Sequence, residues 1–238
     1  PPPVLPVTIR SIVMVGALFK RGGYRSFDNY ISIVKAEHIE AEFVWTQLHA
    51  HTARWVSRSV GRGIGPARQS CSFNFGKLCK LPRLPEPMVP QVPQHPVSMA
   101  LLATIFLLRE VEVSTSVASA WTFDHEALEI SWLLPGSKSD HMALGVTRSW
   151  PCLCGLENFF CPYHLAATHR TWLTTSIHYT DAASTPLFPT EGGGHPNKGQ
   201  AMDSFEALGA AMGQPLQDKV GTRRFGGHTP RVTGARIL

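Results

Sequence analysis

The sequence predicts a mixed α+β chain: an N-terminal helical domain, a proline-rich connector, and a C-terminal domain in which helices surround a small antiparallel sheet. Three observations carry this. Apolar side chains recur at helical spacing across residues 26–60. Residues 81–97, LPRLPEPMVPQVPQHPV, hold six prolines. ALEISWLL, at 127–134, alternates apolar and polar residues as a half-buried strand does. With 238 residues and 43% hydrophobic content the chain has enough apolar material for one large domain or two small ones.

Taken in order, residues 1–25 yield no clear element. Ser26 reads as the N-cap of a helix to about Glu42, with Phe27, Ile31, Val34 and His38 on one face and Lys35, Glu37 and Glu40 off it. A second helix is expected from about Val44 to Val60, with Val44, Leu48, His51 and Trp55 as its inner stripe. Beside that stripe Arg54, Arg58 and Arg62 fall at i, i+4 and i+8, a basic ridge. GRGIGP ends the helix. The expected domains are 1–80, the stiff connector 81–97, and 98–238. In the last, a helix is expected from Ser98 to about Glu112, then strand 127–134 with Leu128, Ile130, Trp132 and Leu134 facing inward. A PGSKSD turn follows, then a second strand near Val146–Trp150. Further helices are expected at about Tyr163–Thr175 and Asn197–Met212, the latter burying Ala201, Phe205, Leu208 and Met212 and stopping at Gly213. GGHTPRVTGARIL then begins a helix carrying His228 and Arg231.

The net charge of +5 permits an anionic partner. Its distribution is more informative. From Phe43 to Pro85 there is no Asp or Glu, but there are Arg54, Arg58, Arg62, Arg68, Lys77, Lys80 and Arg83, a footprint suited to a polyanion. Met99–Leu108 is too short an apolar run to span a bilayer, and Arg10 interrupts the opening stretch, which makes a poor signal peptide. The opening PPPVLP, without Met, suggests a fragment. An intracellular location is expected, nuclear in a eukaryote.

Five cysteines, three of them between 152 and 161, do not make a secreted disulfide framework. In CLCGLENFFCPYH, Cys152 and Cys154 form Cys-x-Cys, and Cys161 and His164 form Cys-x-x-His. Three thiolates and one imidazole are a closed donor set for structural Zn²⁺, and short spacers let each pair chelate from one turn. His169 is a substitute ligand. The competing reading is buried structural cysteines beside a helix-start histidine. The eleven histidines form no metalloprotease pattern.

Three further segments act together. LLREVE places Arg109 three residues before Glu112. GSKSD places Lys138 in the turn between two strands. GGHTPRVTGA supplies His228 and Arg231, followed by Thr233 and Ala235. The order of Arg-x-x-Glu, hairpin Lys and His-x-x-Arg resembles the catalytic domain of tyrosine recombinases, the phage integrase family, over about residues 98–238. The segment PLFPTEGGG and the helix after it look like what precedes His-x-x-Arg there. The resemblance implies that Arg109 and Arg231 clamp a phosphate, that Lys138 is the general acid, and that His228 assists proton transfer. It implies a double-stranded DNA partner, self-association on DNA, a core-binding-like N-terminal domain, and strand exchange through a 3′-phosphotyrosine with no metal in the chemistry. The residue types suit that task, because two guanidinium forks hold non-bridging oxygens bidentately as negative charge gathers.

The chain also departs from the pattern. FLL stands where Thr-Gly precedes the first Arg, and ordinary phage integrases lack the Cys-rich insert. Tyr24, Tyr30, Tyr163 and Tyr179 all precede His-x-x-Arg, whereas the family's nucleophile follows it. The expectation is therefore a chain cut short of its Tyr and inactive alone. The rival expectations are a non-catalytic DNA-binding remnant and a zinc-braced interaction module.

Overall fold

The computed structural model describes residues 5–64, 70–134, 145–155, 160–177, 181–219 and 221–238. It divides into two compact units, Pro1–Arg68 and Gln69–Leu238.

The first unit is helical: α1 (Ile9–Arg21), α2 (Phe27–Glu40) and α3 (Gln47–Gly61). Thr8 and Thr46 cap α1 and α3 by accepting from the N–H groups of Ser11 and His49. Val7, Ile12, Phe27, Val56 and Val60 form the core. The α2 face is as expected, with Phe27 and His38 buried and Ile31 and Val34 partly so. The α3 face is not. Thr52, Val56 and Val60 point inward, whereas Leu48 and Trp55 are 61% and 55% exposed and His51 is exposed. Val44 precedes the helix and is exposed too. Close approach of α1 explains the difference. A Cβ on Gly16 would come within 2.0 Å of Val56 Cγ1, so the glycine notch receives Val56 and turns Trp55 out beside the arginine ridge.

The second unit contains α4 (Phe75–Leu78), α5 (Pro96–Ile105), α6 (Glu110–Ser114), strands β1 (Trp121–Asp124), β2 (Glu129–Leu134) and β3 (Val146–Pro151), then α7 (Pro162–Trp172), α8 (Lys198–Ala211) and α9 (Thr229–Ile237). α7 runs on as a π-helical turn, Leu173–Ile177. The sheet is antiparallel in the order β1-β2-β3, with Trp132 opposite both Trp121 and Arg148. The mixed α+β class is as the sequence predicts. Ile130, Trp132 and Leu134 face the core, but Leu128 lies in the preceding turn with φ +50° and is partly exposed. Ala201, Phe205, Leu208 and Met212 are all buried, and Gly213 ends α8 with φ +70°.

Two expected boundaries move. The proline-rich segment 81–97 lies within the second unit, and the division falls between Arg68 and Gln69. Prolines leave few N–H groups, and two of them anchor the segment: Gln94 donates to Pro189 O and His95 to Pro85 O, both at 2.9 Å, while Val92 is buried. The expected helix Ser98–Glu112 is broken. α5 stops at Ile105, Leu107 turns left-handed at φ +55°, and Arg109 is extended as the N-cap of α6. α9 lies against α5, where a Cβ on Gly234 would sit 2.2 Å from Thr104 O. Among the described residues, no helix is long and apolar enough to cross a membrane.

Candidate functional site

The break between α5 and α6 builds the main site. With Arg109 extended, its backbone N–H donates to Glu112 Oε2 at 2.7 Å, and its guanidinium Nη2 donates to Glu112 Oε1 at 3.1 Å. Arg231, in the first turn of α9, donates through Nη2 to the same carboxylate at 2.8 and 3.1 Å and through Nε to Leu107 O at 2.7 Å. Residues 119 apart thus meet on one carboxylate. Glu112 is 9% exposed, and its two partners are 27% and 33% exposed, so the acid is enclosed while the forks reach solvent. Burial disfavours the Glu112 carboxylate, but hydrogen bonds from Arg109 and the charges of Arg231 and Arg109 outweigh it, and its pKa lies below the ordinary value.

A third guanidinium belongs here. Arg148, on β3, donates through Nη1 to Phe106 O and to Leu107 O, the latter at 3.0 Å. Burial, then the charges of Arg231 and Arg109, lower its pKa, and Glu112 opposes them. Sequence reasoning missed Arg148 because a lone Arg in a strand matches no motif. The available signal was its place in the strand following the Lys138 hairpin. Two carbonyls turned outward by the left-handed Leu107 are what the forks of Arg148 and Arg231 grip.

His228 is the N-cap residue of α9, exposed and three residues before Arg231. Next to it, Gly227 is pressed by Glu110, whose Oε2 would lie 1.9 Å from a Cβ there. Lys138 and Arg68 lie outside the described residues, as does Tyr179. In the first unit Arg54, Arg58 and Arg62 are exposed along and just past α3. The ridge is not wholly acid-free, because Ser57 donates to Asp28 Oδ1 on α2 beside it. Tyr163 is 5% exposed with its hydroxyl 2.8 Å from His125 Nδ1, and Tyr24 and Tyr30 are in the first unit.

The second site joins the end of β3 to the start of α7. Cys152 and Cys154 follow the strand, Cys161 is the N-cap of α7, and His164 is in its first turn. His164 Nδ1 lies 3.6, 3.2 and 3.2 Å from the sulfurs of Cys152, Cys154 and Cys161, and Cys161 Sγ is 3.5 Å from Cys152 Sγ. All four donor atoms fall within 4.8 Å of one another. A tetrahedral ion with metal–sulfur bonds of about 2.3 Å and a metal–nitrogen bond of about 2.0 Å needs edges of roughly 3.5–3.8 Å, so the donor set fits a metal ion. Burial opposes ionisation of Cys161, but hydrogen bonding from His164 and the Leu153 N–H draws its pKa down to about 6. Cys154, hydrogen-bonded to Cys152 and Cys161, rises to about 11, so the set loses its first proton readily and its last reluctantly without a cation. His169 does not join it. It is 2% exposed, its Nε2 meets Leu187 O at 2.6 Å, and burial lowers its pKa to about 3.

No family model matches this sequence, and no curated protein matches it. Among solved structures the chain is similar to the XerH site-specific recombinase bound to its difH substrate in a pre-cleavage complex. The identity is 12% and the TM-score 0.47, over 87% of this chain and 59% of the other.

Proposed function

We propose that this chain is a tyrosine-recombinase-like DNA-binding protein, and that its second unit holds a backbone phosphate between Arg109 and Arg231. The observation supporting this is the meeting of Arg-x-x-Glu and His-x-x-Arg on the Glu112 carboxylate. Those motifs were paired from sequence alone, and their convergence is what a phosphate clamp requires. Glu112 aligns the two forks and leaves their remaining donors for the non-bridging oxygens. His228 flanks the clamp as a proton-transfer group, and Lys138 on the β2–β3 connection is the proposed general acid. No tyrosine of residues 1–238 is assigned as nucleophile: the Tyr163 hydroxyl is occupied by His125 and enclosed. The first unit is proposed as a core-binding-like partner domain that meets phosphates through Arg54, Arg58, Arg62 and Arg68.

Zn²⁺ is the proposed occupant of the Cys152, Cys154, Cys161 and His164 set. Four protein donors leave no open position, so its role is a brace tying β3 to α7, with binding energy that is folding energy. The test is fluorescence anisotropy of a labelled duplex against the chain, across a chloride series. Wild type should bind with a steep salt dependence, Arg231→Ala should weaken binding at least tenfold, and Arg54→Ala with Arg58→Ala should flatten the salt slope. Duplex affinity that ignores Arg231→Ala would remove the clamp.

A further inference from the structure

Resting on the phosphate-clamp reading above, we infer that Arg148 is a third phosphate-contacting residue of the site, one that the motifs do not include. Its Nη1 is spent on Phe106 O and Leu107 O, which fixes the plane of the guanidinium against the α5–α6 break. The other donors of its fork have no partner among the described residues, and the side chain is partly exposed. Leu107 O accepts from Arg148 and from Arg231 Nε, so one carbonyl sets the spacing of the two forks. β3 carries the residue, and pairing of Arg148 with Trp132, which is fully buried, holds it at that height of the sheet.

Charge decides what a third fork adds. The charged neighbours felt by Arg148 are Arg231, Glu112 and Arg109. Among the described residues, three cations around one carboxylate leave two positive charges uncompensated. A ground-state phosphodiester carries one negative charge, and a phosphoryl centre under attack gathers a second on its equatorial oxygens. Arg109 and Arg231 with Glu112 would balance the first alone. Arg148 supplies the second, so it favours a doubly charged phosphoryl group over a singly charged one. Burial is the main reason the Arg148 pKa is depressed; the charges of Arg231 and Arg109 add to it, and an anion among the forks relieves that repulsion.

The experiment compares wild type, Arg148→Gln, Arg148→Lys and Arg231→Ala for duplex binding across a chloride series, with circular dichroism and thermal melting as fold checks. Each lost phosphate contact should lower the slope of log affinity against log salt by about 0.9. Arg148→Gln should show that loss, and Arg148→Lys, which keeps the charge, should recover most of it. If Arg231→Ala lowers the slope and Arg148→Gln does not, Arg148 only braces the carbonyls and the inference fails alone. If Arg231→Ala leaves the slope unchanged, the clamp itself fails. Should the glutamine variant not fold, ¹⁵N spectra of wild-type arginine side chains, assigned by comparison with Arg148→Lys, replace it. The Arg148 Nε signal should move on adding duplex, and a signal that stays in place overturns the inference.

Discussion

Replacing Glu112 with Gln removes the one carboxylate among three guanidiniums while keeping its shape. Its oxygens accept from the Arg109 N–H at 2.7 Å and from Arg231 Nη2 at 2.8 Å, with longer bonds from the Arg109 guanidinium. Removing one member of a buried ion pair costs about 3–5 kcal/mol, because its partner is left uncompensated. Arg109 and Arg231 keep 27% and 33% of their side-chain surface, so solvent screens part of the loss and about 2–3 kcal/mol remains. For a unit of this size that lowers Tm by about 5–10 °C. The assay is thermal unfolding at neutral pH in chloride, then at equal ionic strength with a few millimolar phosphate. Phosphate should stabilise the variant more than wild type, since it takes the place of the lost carboxylate among the cations; at ten times its Kd the gain is about 1.4 kcal/mol. A Tm within 1 °C of wild type, or equal phosphate gains in both proteins, would refute the cluster as a site of uncompensated positive charge.

Purified protein should contain close to one equivalent of zinc, and Cys161→Ser should release it and lower Tm; protein that is metal-free when prepared without chelator, and unaffected by added zinc, would leave the four residues as ordinary core and surface groups. Stability should fall as pH drops below about 6.5, because the unfolded chain takes up a proton there that buried His169 refuses until about pH 3; at pH 5 this amounts to about 2 kcal/mol. His169→Gln, melted beside wild type across pH 4–7, should flatten that dependence. Gly234→Ala should destabilise by about 1–3 kcal/mol in urea titration, since its Cβ would meet the Thr104 carbonyl of α5 at 2.2 Å, and backbone cannot move aside cheaply.

Where burial and periodicity agree, the sequence was easy to read: α2, β2 and α8 bury Phe27 and His38, Ile130 and Trp132, Phe205 and Leu208 as patterned. α1 escaped notice because apolar residues surround it. Val13, Met14, Val15 and Leu18 are substantially exposed, so apolar residues alone do not single out the inner face of Ile12 and Gly16. On α3 the signal was inverted, with Thr52 buried and Trp55 out. β1, at four residues, is too short for alternation to register. The α5–α6 break is set by tertiary structure: LLATIFLLREVEV carries no Gly or Pro, and the broken turn survives because Arg148 and Arg231 take its carbonyls. Of the candidate site, Arg109, Arg231 and the Cys-Cys-Cys-His set were legible because each depends on local spacing that then meets in space. Arg148 was not, since its role comes only from strand register.

The most direct measurement is a crystal structure of residues 1–238 with a DNA duplex. A backbone phosphate is expected among the forks of Arg109, Arg231 and Arg148, with at least two guanidiniums at hydrogen-bond distance and Glu112 still paired behind them. Duplex bound with its phosphates on other residues, and the Glu112 cluster closed and dry, would contradict the reading.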